Sequence, residues 1–369
     1  MISFALTEEQ RQVQDTLTAF ARDELLPRAR AADEACDAPL DLLDAAWSLG
    51  FTGLSIPEAC GGGGMPRSLV TSVLMLEALG QGCPGLASAA FASLLFVSPL
   101  IDLGSTEQRL RYLPAFCGET RYTATLALQE ASPSFDMARA STRAERTEAG
   151  WSITGIKRLV PMGTTAKQLL VLARASEASG LAGIKIFIVS ADAAGVTIER
   201  ESGTIGLSAS GFARVELRDV ALPPDAILGG GEGADIRPML ASLRIGGAAL
   251  AVGLARAVTD FAIPYAKERV AFGEPIARKQ SIAFMLADMH IECEAMRWMV
   301  WKAAAEVDAG RDATRAAMLA QNYVNRRALK IADDGLQIFG GHGYIRELPL
   351  EMWLRNMRAL TVHDAIAAA

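Results

Sequence analysis

Apolar residues at helical spacing dominate the first third of the chain. Val13, Leu17 and Phe20 lie three or four residues apart and predict one apolar face of a helix. Thr7 and Gln10 precede them as a capping box, in which each side chain bonds a free backbone N–H at the start of a helix. Similar patterns continue to about residue 120, so residues 1–120 are predicted to form an N-terminal α-helical domain.

The most apolar run is Leu86 to Leu103. Three serines and Pro99 interrupt it, and it is shorter than the roughly 20 apolar residues that cross a membrane. The run therefore predicts a single buried helix and no membrane span.

From about residue 122 the pattern changes to short apolar runs separated by turns. Four runs have the length or the alternation of strands, at 169–173, 184–189, 196–198 and 214–218. Two prolines at 223–224 and three glycines at 229–231 end this part of the chain. Residues 121–229 are therefore predicted to form a middle β domain of barrel-like or sandwich type.

Three long helical segments follow, at about 238–269, 281–309 and 312–339. Helices of about 30 residues joined by short turns indicate an antiparallel bundle. Residues 230–369 are therefore predicted to form a C-terminal four-helix bundle, which makes the fold class α+β and mainly helical.

Composition and charge exclude several functions. The net charge of −6 comes from mixed signs without a basic stripe, so nucleic-acid binding is not expected. The five cysteines are scattered and the three histidines lack metal-ligand spacing, so neither a disulfide framework nor a metal site is predicted. The first residues lack the pattern of a signal peptide, and we expect a cytoplasmic protein.

Three motifs in this order resemble the acyl-CoA dehydrogenase family along nearly the whole chain. They are Arg269-Val-Ala-Phe-Gly followed by Pro275-Ile276 and Gln280; Gln337-Ile-Phe-Gly-Gly-His-Gly-Tyr344; and Leu217-Arg-Asp-Val220 with Pro223 and Leu228-Gly229. The resemblance implies the family's fold, with FAD as cofactor and an acyl thioester as substrate.

The resemblance also implies which residues hold FAD. Arg269 would reach the diphosphate of a cofactor bound mainly by a neighbouring subunit, and a guanidinium suits that task because it offers five donors. Gln337, Gly340 and Gly341 would contact the same region, where glycine lets the backbone approach closely. The remaining motif residues of this group are Phe272, Ile276 and Gln280. The alternative is that Arg269 caps a helix and the glycines only turn the chain.

The flavin ring is expected on the β domain, against Leu128, Gln129, Val160 and Pro161. Here the chain departs from the family, which has threonine at the positions of Gln129 and Pro161. Pro161 has neither a hydroxyl nor an N–H for flavin N5. Phe135 replaces the family's serine near the pyrophosphate, and Ser134 or Ser132 is the expected substitute.

Asp364 is the candidate catalytic base. The family places a glutamate at this point, shortly after an Arg-Asp pair whose counterpart here is Arg355-Asn356. The other family location of the base, one residue before the substrate-binding candidate Arg244, holds Leu243. Either Asp364 serves as the base or the chain has none. For Arg244 the alternative is an ordinary solvated helix arginine.

The residues and the resemblance together predict a flavoprotein that introduces an α,β double bond into a small acyl-CoA. The expected partners are an electron-transfer flavoprotein and three further copies of this chain in a homotetramer. Three alternatives stay open: an oxidase or monooxygenase on the same fold, a carrier-bound acyl substrate in place of acyl-CoA, and a non-catalytic partner subunit of a mixed tetramer.

Overall fold

The computed structural model describes residues 5–132, 135–178, 180–364 and 366–369. The capping box at Thr7 and Gln10 starts the first helix as predicted. Seven α-helices precede the sheet: α1 (Glu8–Phe20), α2 (Leu26–Ala35), α3 (Leu40–Ser48), α4 (Leu69–Gly82), α5 (Pro84–Ala90), α6 (Leu94–Leu103) and α7 (Thr106–Tyr112). One π-helical turn, Ala21–Leu25, joins α1 to α2.

The run from Leu86 to Leu103 is not one helix, and that prediction was wrong. It forms the end of α5 and all of α6, whose axes are bent by 58° at the break. The hydroxyl of Ser93, inside the break, donates to the carbonyl of Tyr122 at 3.0 Å. The break is thereby tied to the residues that lead into the sheet.

The middle of the chain folds into one seven-stranded sheet. Its strands are β1 (Ala124–Ala127), β2 (Arg143–Thr147), β3 (Gly150–Val160), β4 (Gln168–Arg174), β5 (Ile184–Ser190), β6 (Val196–Arg200) and β7 (Ala213–Leu222). The hydrogen-bonded order is β1-β4-β2-β3-β7-β6, and β5 also pairs with β4. The β1–β4 and β2–β4 pairs are parallel and the others antiparallel. The sheet confirms the four predicted strands and adds β1, β2 and β3.

The C-terminal part is a helical bundle, as predicted. It consists of α8 (Arg237–Glu268), a small hairpin of β8 (Val270–Ala271) and β9 (Glu274–Pro275), α9 (Gln280–Asp308), α10 (Thr314–Phe339) and α11 (Leu350–Leu360). Helix α8 packs against α4, α9 and α10. It is long and apolar enough to cross a membrane, but 83% of its most apolar stretch is buried inside the protein. In the described residues α8 is therefore the central helix of the core.

Glu77 joins α4 to α9 through buried polar contacts. Its carboxylate accepts hydrogen bonds from Trp301 Nε1 at 2.8 Å and from Arg297 Nε at 3.1 Å. Burial raises the pKa of Glu77 to about 7, against the opposing effects of Arg297 and Trp301. The native state thus holds this proton more tightly than the unfolded chain, where the pKa is near 4.5.

We expect the stability of the wild type to fall, relative to Glu77→Gln, as the pH rises from about 5 to about 8. A raised pKa contributes stability that is full below the unfolded value and lost as the pH rises through the folded one. The relative change should approach about 3 kcal/mol. Urea unfolding of both proteins across this range measures it, and curves that stay parallel would show that Glu77 ionises normally.

Candidate functional site

The predicted flavin residues of the β domain meet where two strands end. Leu128 and Gln129 follow β1, and Val160 ends β3 with Pro161 directly after it. The backbone N–H of Arg158 donates to the carbonyl of Gln129 at 2.9 Å, so the two segments run side by side. Leu128, Val160 and Pro161 are buried. Ser134 lies outside the described residues.

The backbone around Pro161 is strained. Leu159 and Met162 have φ values of +51° and +50°, which residues other than glycine rarely adopt. The Glu201 carboxylate accepts the Leu159 N–H at 2.8 Å, and the Met162 N–H donates to the carbonyl of Ser210 at 3.1 Å. Such strain persists only where surrounding contacts hold it, and it is concentrated at functional sites.

A buried ion pair stabilises the two segments 128–129 and 159–161, which together form the candidate flavin edge of the sheet. Lys157 Nζ donates to the Glu130 carboxylate at 2.8 Å and to the carbonyl of Leu128 at 3.2 Å. Burial works to raise the pKa of Glu130, but the charge of Lys157 and the hydrogen bonds from Lys157 and Ser141 lower it to about 2. Glu130 is therefore an ionised structural group.

His363 connects the segment of the candidate base to the same edge. Its Nε2 lies 3.0 Å from the carbonyl of Leu159, and its ring stacks on Phe212 with centroids 5.4 Å apart. Burial lowers the pKa of His363 and so favours the neutral ring. The hydrogen bond to Leu159 acts in the opposite direction but is the smaller effect. A carbonyl only accepts, so Nε2 carries the hydrogen. Sequence reasoning missed His363, because no local pattern marks a residue that contacts a strand 204 positions away.

Asp364 follows His363 and is half-buried. Its carboxylate accepts a hydrogen bond from Gln321 Nε2 of α10 at 3.0 Å. Asp364 thus directly follows the residue that contacts the flavin edge. The hydrogen bond from Gln321 holds its carboxylate against α10. Its role as base stays a prediction.

A groove beside α8 holds residues 366–369, which are buried. Ser88 of α5 donates its hydroxyl to the carbonyl of Ile366 at 2.8 Å, and Ser242 of α8 donates to the main-chain oxygen of Ala369 at 2.6 Å. Arg67 Nη2 also donates to Ala369 O. The sequence carries no signal for this group, because its members are far apart along the chain.

Arg244 lies two residues after Ser242 on α8 and is half-buried. Leu243, between them, is buried in the cluster that includes Ala368. Residues two apart on a helix face different sides, so Ser242 does not fix the direction of the Arg244 side chain, and its role in substrate binding stays a prediction.

The other predicted cofactor residues lie together at one end of the bundle. Arg269 directly follows α8, and Tyr265, one turn earlier, stacks on Phe339 with ring centroids 3.8 Å apart. Phe339 is the last residue of α10, which carries Gln337, and Gly340 and Gly341 follow it in a short 3-10 turn. The predicted residues at this end, all at least partly exposed, are Arg269, Phe272, Ile276, Gln280, Gln337, Gly340 and Gly341. Among the described residues no hydrogen bond or ion pair joins them to the sheet edge.

The residues at both places fit FAD. The side-chain oxygen of Gln129 is buried and has no hydrogen-bond partner among the described residues, so it can accept from a bound donor. A Cβ built on Gly340 or Gly341 would meet no atom within 4 Å, so packing within this chain does not require glycine at either position. Only Gly340 needs glycine for its backbone, with a φ of +57°. The open space and the exposed Arg269 suit a ligand shared with another subunit.

Comparison with known proteins gives consistent matches across the chain. Family models of the N-terminal, middle and C-terminal domains of acyl-CoA dehydrogenase match residues 7–120, 125–220 and 231–364, respectively. Benzylmalonyl-CoA dehydrogenase of Aromatoleum aromaticum is 34% identical over 97% of this chain and 94% of its own length.

Two solved structures share the fold. Butyryl-CoA dehydrogenase of Megasphaera elsdenii superposes with a TM-score of 0.89 and 29% identity, over 99% of this chain and 96% of that one. A chain solved in work on the electron transferring flavoprotein of Acidaminococcus fermentans also gives 0.89, with 30% identity over the same shares of the two chains.

Proposed function

This chain belongs to the acyl-CoA dehydrogenase family, and we propose on that premise that it introduces an α,β double bond into a short acyl-CoA with FAD as cofactor. The observation that carries the proposal is the contact between His363 and the carbonyl of Leu159. It holds the backbone next to the candidate base Asp364 against the sheet edge where Gln129 and Pro161 would meet the flavin.

In this proposal Asp364 takes the α-proton of the thioester. That proton is weakly acidic, so the carboxylate must stand beside the α-carbon when the reaction begins. The hydrogen bond that Gln321 donates orients the Asp364 carboxylate until substrate enters. FAD, when bound, supplies the acceptor for the β-hydrogen, which leaves as hydride. The neutral His363 ring donates to the carbonyl of Leu159 and so holds this backbone in place at the candidate flavin edge.

We further propose a homotetramer whose subunits meet through α9 and the turns that carry Phe272 and Tyr344. Phe284, Ile291 and Trp298 are exposed and lie seven residues apart, so they form one apolar stripe along α9. The stripe is continued by Phe272, 95% exposed, and by Tyr344, 71% exposed. An apolar surface of this extent marks an interaction site on a soluble protein. The same end of the bundle carries Arg269, which suits a cofactor site completed between subunits.

An electron-transfer flavoprotein is the proposed electron acceptor. Support comes from the likeness to a chain solved in work on such a protein from Acidaminococcus fermentans. We place the activity in the cytoplasm, within fatty acid metabolism. The five scattered cysteines, which are free thiols in the structure, suit a reducing compartment.

Spectroscopy of the purified protein tests the proposed activity. We expect a yellow protein with about one FAD per chain, whose flavin absorbance is bleached by at least one member of a panel of short acyl-CoAs added without oxygen. A colourless protein that FAD does not reconstitute would contradict the proposal, as would a flavin that no acyl-CoA reduces. The last result would instead favour a non-catalytic partner subunit.

Pro161→Thr is expected to change the flavin reduction potential. Pro161 is buried at the candidate flavin edge and donates no hydrogen bond, whereas threonine adds a hydroxyl. One added hydrogen bond to the reduced flavin is worth about 0.5–1.5 kcal/mol, or about 10–30 mV for a two-electron couple. Anaerobic dye titration measures the potential, with Pro161→Ala as control. Equal potentials in the Thr and Ala variants would show that position 161 does not reach the flavin.

A further inference from the structure

The candidate flavin edge contains a β-bulge. The register of β3 against β7 shifts between Lys157 and Val160, where β3 has two residues opposite one residue of β7. The two residues of the bulge are Arg158 and Leu159. A bulge leaves backbone groups without a partner in the neighbouring strand, and next to an active site it can re-aim a side chain. The position of Pro161, two residues after the bulge, therefore depends on the contacts that hold the bulge.

The backbone polar groups of residues 158–162 are bound by four separate segments of the chain. Two of the partners are main-chain carbonyl groups, one is a neutral ring and one is a carboxylate. These four partners are the carbonyls of Gln129 and Ser210, the ring of His363 and the side chain of Glu201. Glu201 thus brings a charged group to the edge.

The carboxylate of Glu201 is placed to hold both residues of the bulge. Glu201 directly follows β6, and its side chain is only 8% exposed. Its Oε2 accepts the backbone N–H of Leu159 at 2.8 Å, and its Oε1 accepts from Arg158 Nε at 2.5 Å. The backbone N–H of Glu201 donates to the carbonyl of Phe212 at 2.8 Å, which fixes the residue itself. Each carboxylate oxygen therefore has a donor on a different residue of the bulge.

Leu159 depends on this contact because its conformation is unfavourable. A φ of +51° is rare for leucine and persists only where the surroundings hold it. Its N–H is bound by Glu201 and its carbonyl by His363, so the residue is held from two sides. Without the carboxylate, the N–H would lose its acceptor in a half-buried place. The acceptor that Glu201 supplies therefore decides whether Leu159 keeps this conformation.

We propose that Glu201 is a positioning residue for the flavin. It holds Leu159 in the left-handed conformation and thereby fixes the place of Pro161 at the flavin edge. This inference rests on the proposed function for the place of the flavin. Glu201 acts through Leu159 and does not itself contact the flavin. Arg158 balances its charge, so the carboxylate does not disfavour the electrons that the flavin accepts.

Reduction potentials of four FAD-loaded proteins test the proposal without any acyl-CoA. Pro161→Thr is compared with the wild type, and the same exchange is made in a Glu201→Ala background. We expect the shift in potential that Pro161→Thr produces to be lost in that background, because threonine reaches the flavin only while Leu159 is held. Glu201→Gln can still accept the Leu159 N–H and should keep most of the shift. Glu199→Ala removes an exposed acid from the same strand and should keep all of it.

The affinity for FAD is a second readout. The apparent affinity of a ligand falls with the fraction of the protein that has the competent conformation. Loss of the acceptor for the Leu159 N–H should therefore weaken FAD binding about tenfold in Glu201→Ala. Glu201→Gln and Glu199→Ala should stay close to the wild type. Flavin fluorescence after dilution of the loaded protein measures the release of FAD.

A full Pro161→Thr shift in the Glu201→Ala background would overturn the proposal, as would a Pro161→Thr exchange that shifts nothing in the wild type. A Glu201→Ala protein that melts at a lower temperature but keeps its FAD affinity and the full shift would show that Glu201 only stabilises the fold. If Glu201→Ala does not fold, Glu201→Asp replaces it; its carboxylate is one methylene shorter, so part of the shift should be lost, and an unchanged shift would overturn the proposal.

The outcome is separable from that of the proposed dehydrogenation. Loss of the shift in a protein that no acyl-CoA reduces would support the role of Glu201 and contradict only the dehydrogenation. A protein that acyl-CoA reduces, and in which Glu201→Ala leaves the shift and the FAD affinity unchanged, would contradict only the role of Glu201.

Discussion

Asp364→Asn is expected to slow flavin reduction by a good acyl-CoA substrate by about 10²- to 10⁴-fold, the usual contribution of a general base. Asparagine has nearly the same shape and can still bond Gln321, but it cannot take the α-proton. FAD content and thermal stability should stay unchanged, because asparagine keeps the hydrogen bond that Gln321 donates to Asp364. Stopped-flow absorbance without oxygen measures the rate.

Asp364→Glu is the matched variant. Aspartate is shorter than glutamate by one methylene, and a misplacement of about 1 Å can cost about 10²-fold in rate. The contact of His363 with Leu159 fixes the backbone on one side of Asp364, so the glutamate should retain activity only if the carboxylate has room to turn from Gln321 to the substrate. Wild-type rates in Asp364→Asn would show that the base is another group.

Arg269→Glu is expected to weaken the binding of FAD strongly. Arg269 is exposed at the end of α8, beside the apolar hairpin that carries Phe272. In the proposed tetramer its guanidinium meets the diphosphate of a neighbour's FAD, and reversing its charge places a carboxylate against that anion. We expect FAD affinity to fall by at least about 10²-fold, because a favourable charged contact becomes a repulsive one.

Flavin content after gel filtration measures this loss, and light scattering gives the mass of the assembly. Arg311→Glu reverses an exposed charge in the turn after α9 and should keep both FAD and the tetramer. A wild type that is monomeric and still saturated with flavin would contradict the shared site. A fully flavinated Arg269→Glu tetramer would show that Arg269 only ends its helix.

The long helices were predictable because their signal is local. The segment expected at 281–309 is helical over Gln280–Asp308, where apolar residues three and four apart repeat for several turns. Strand β3 was missed, since its sequence includes Lys157 at a buried position. That lysine is stable there only because it pairs with Glu130, 27 residues earlier in the chain.

The groove shows the same limit more strongly. Arg67 and Ala369 are separated by 302 positions, and neither stands in a recognisable motif. The resemblance to a family named Asp364 and Arg269, because those positions fall in its motifs. It could not name Arg67 or His363, whose surroundings are assembled only when distant segments pack together.

A single turnover without oxygen tests the central claim most directly. One equivalent of a saturated short acyl-CoA is mixed with the FAD-loaded protein, the flavin absorbance is followed, and the CoA esters are analysed by mass spectrometry. The account predicts that each reduced flavin is matched by one ester lighter by two hydrogens, with the double bond between the α- and β-carbons. Flavin that stays oxidised with every ester, or flavin that is reduced while no unsaturated ester forms, would contradict it.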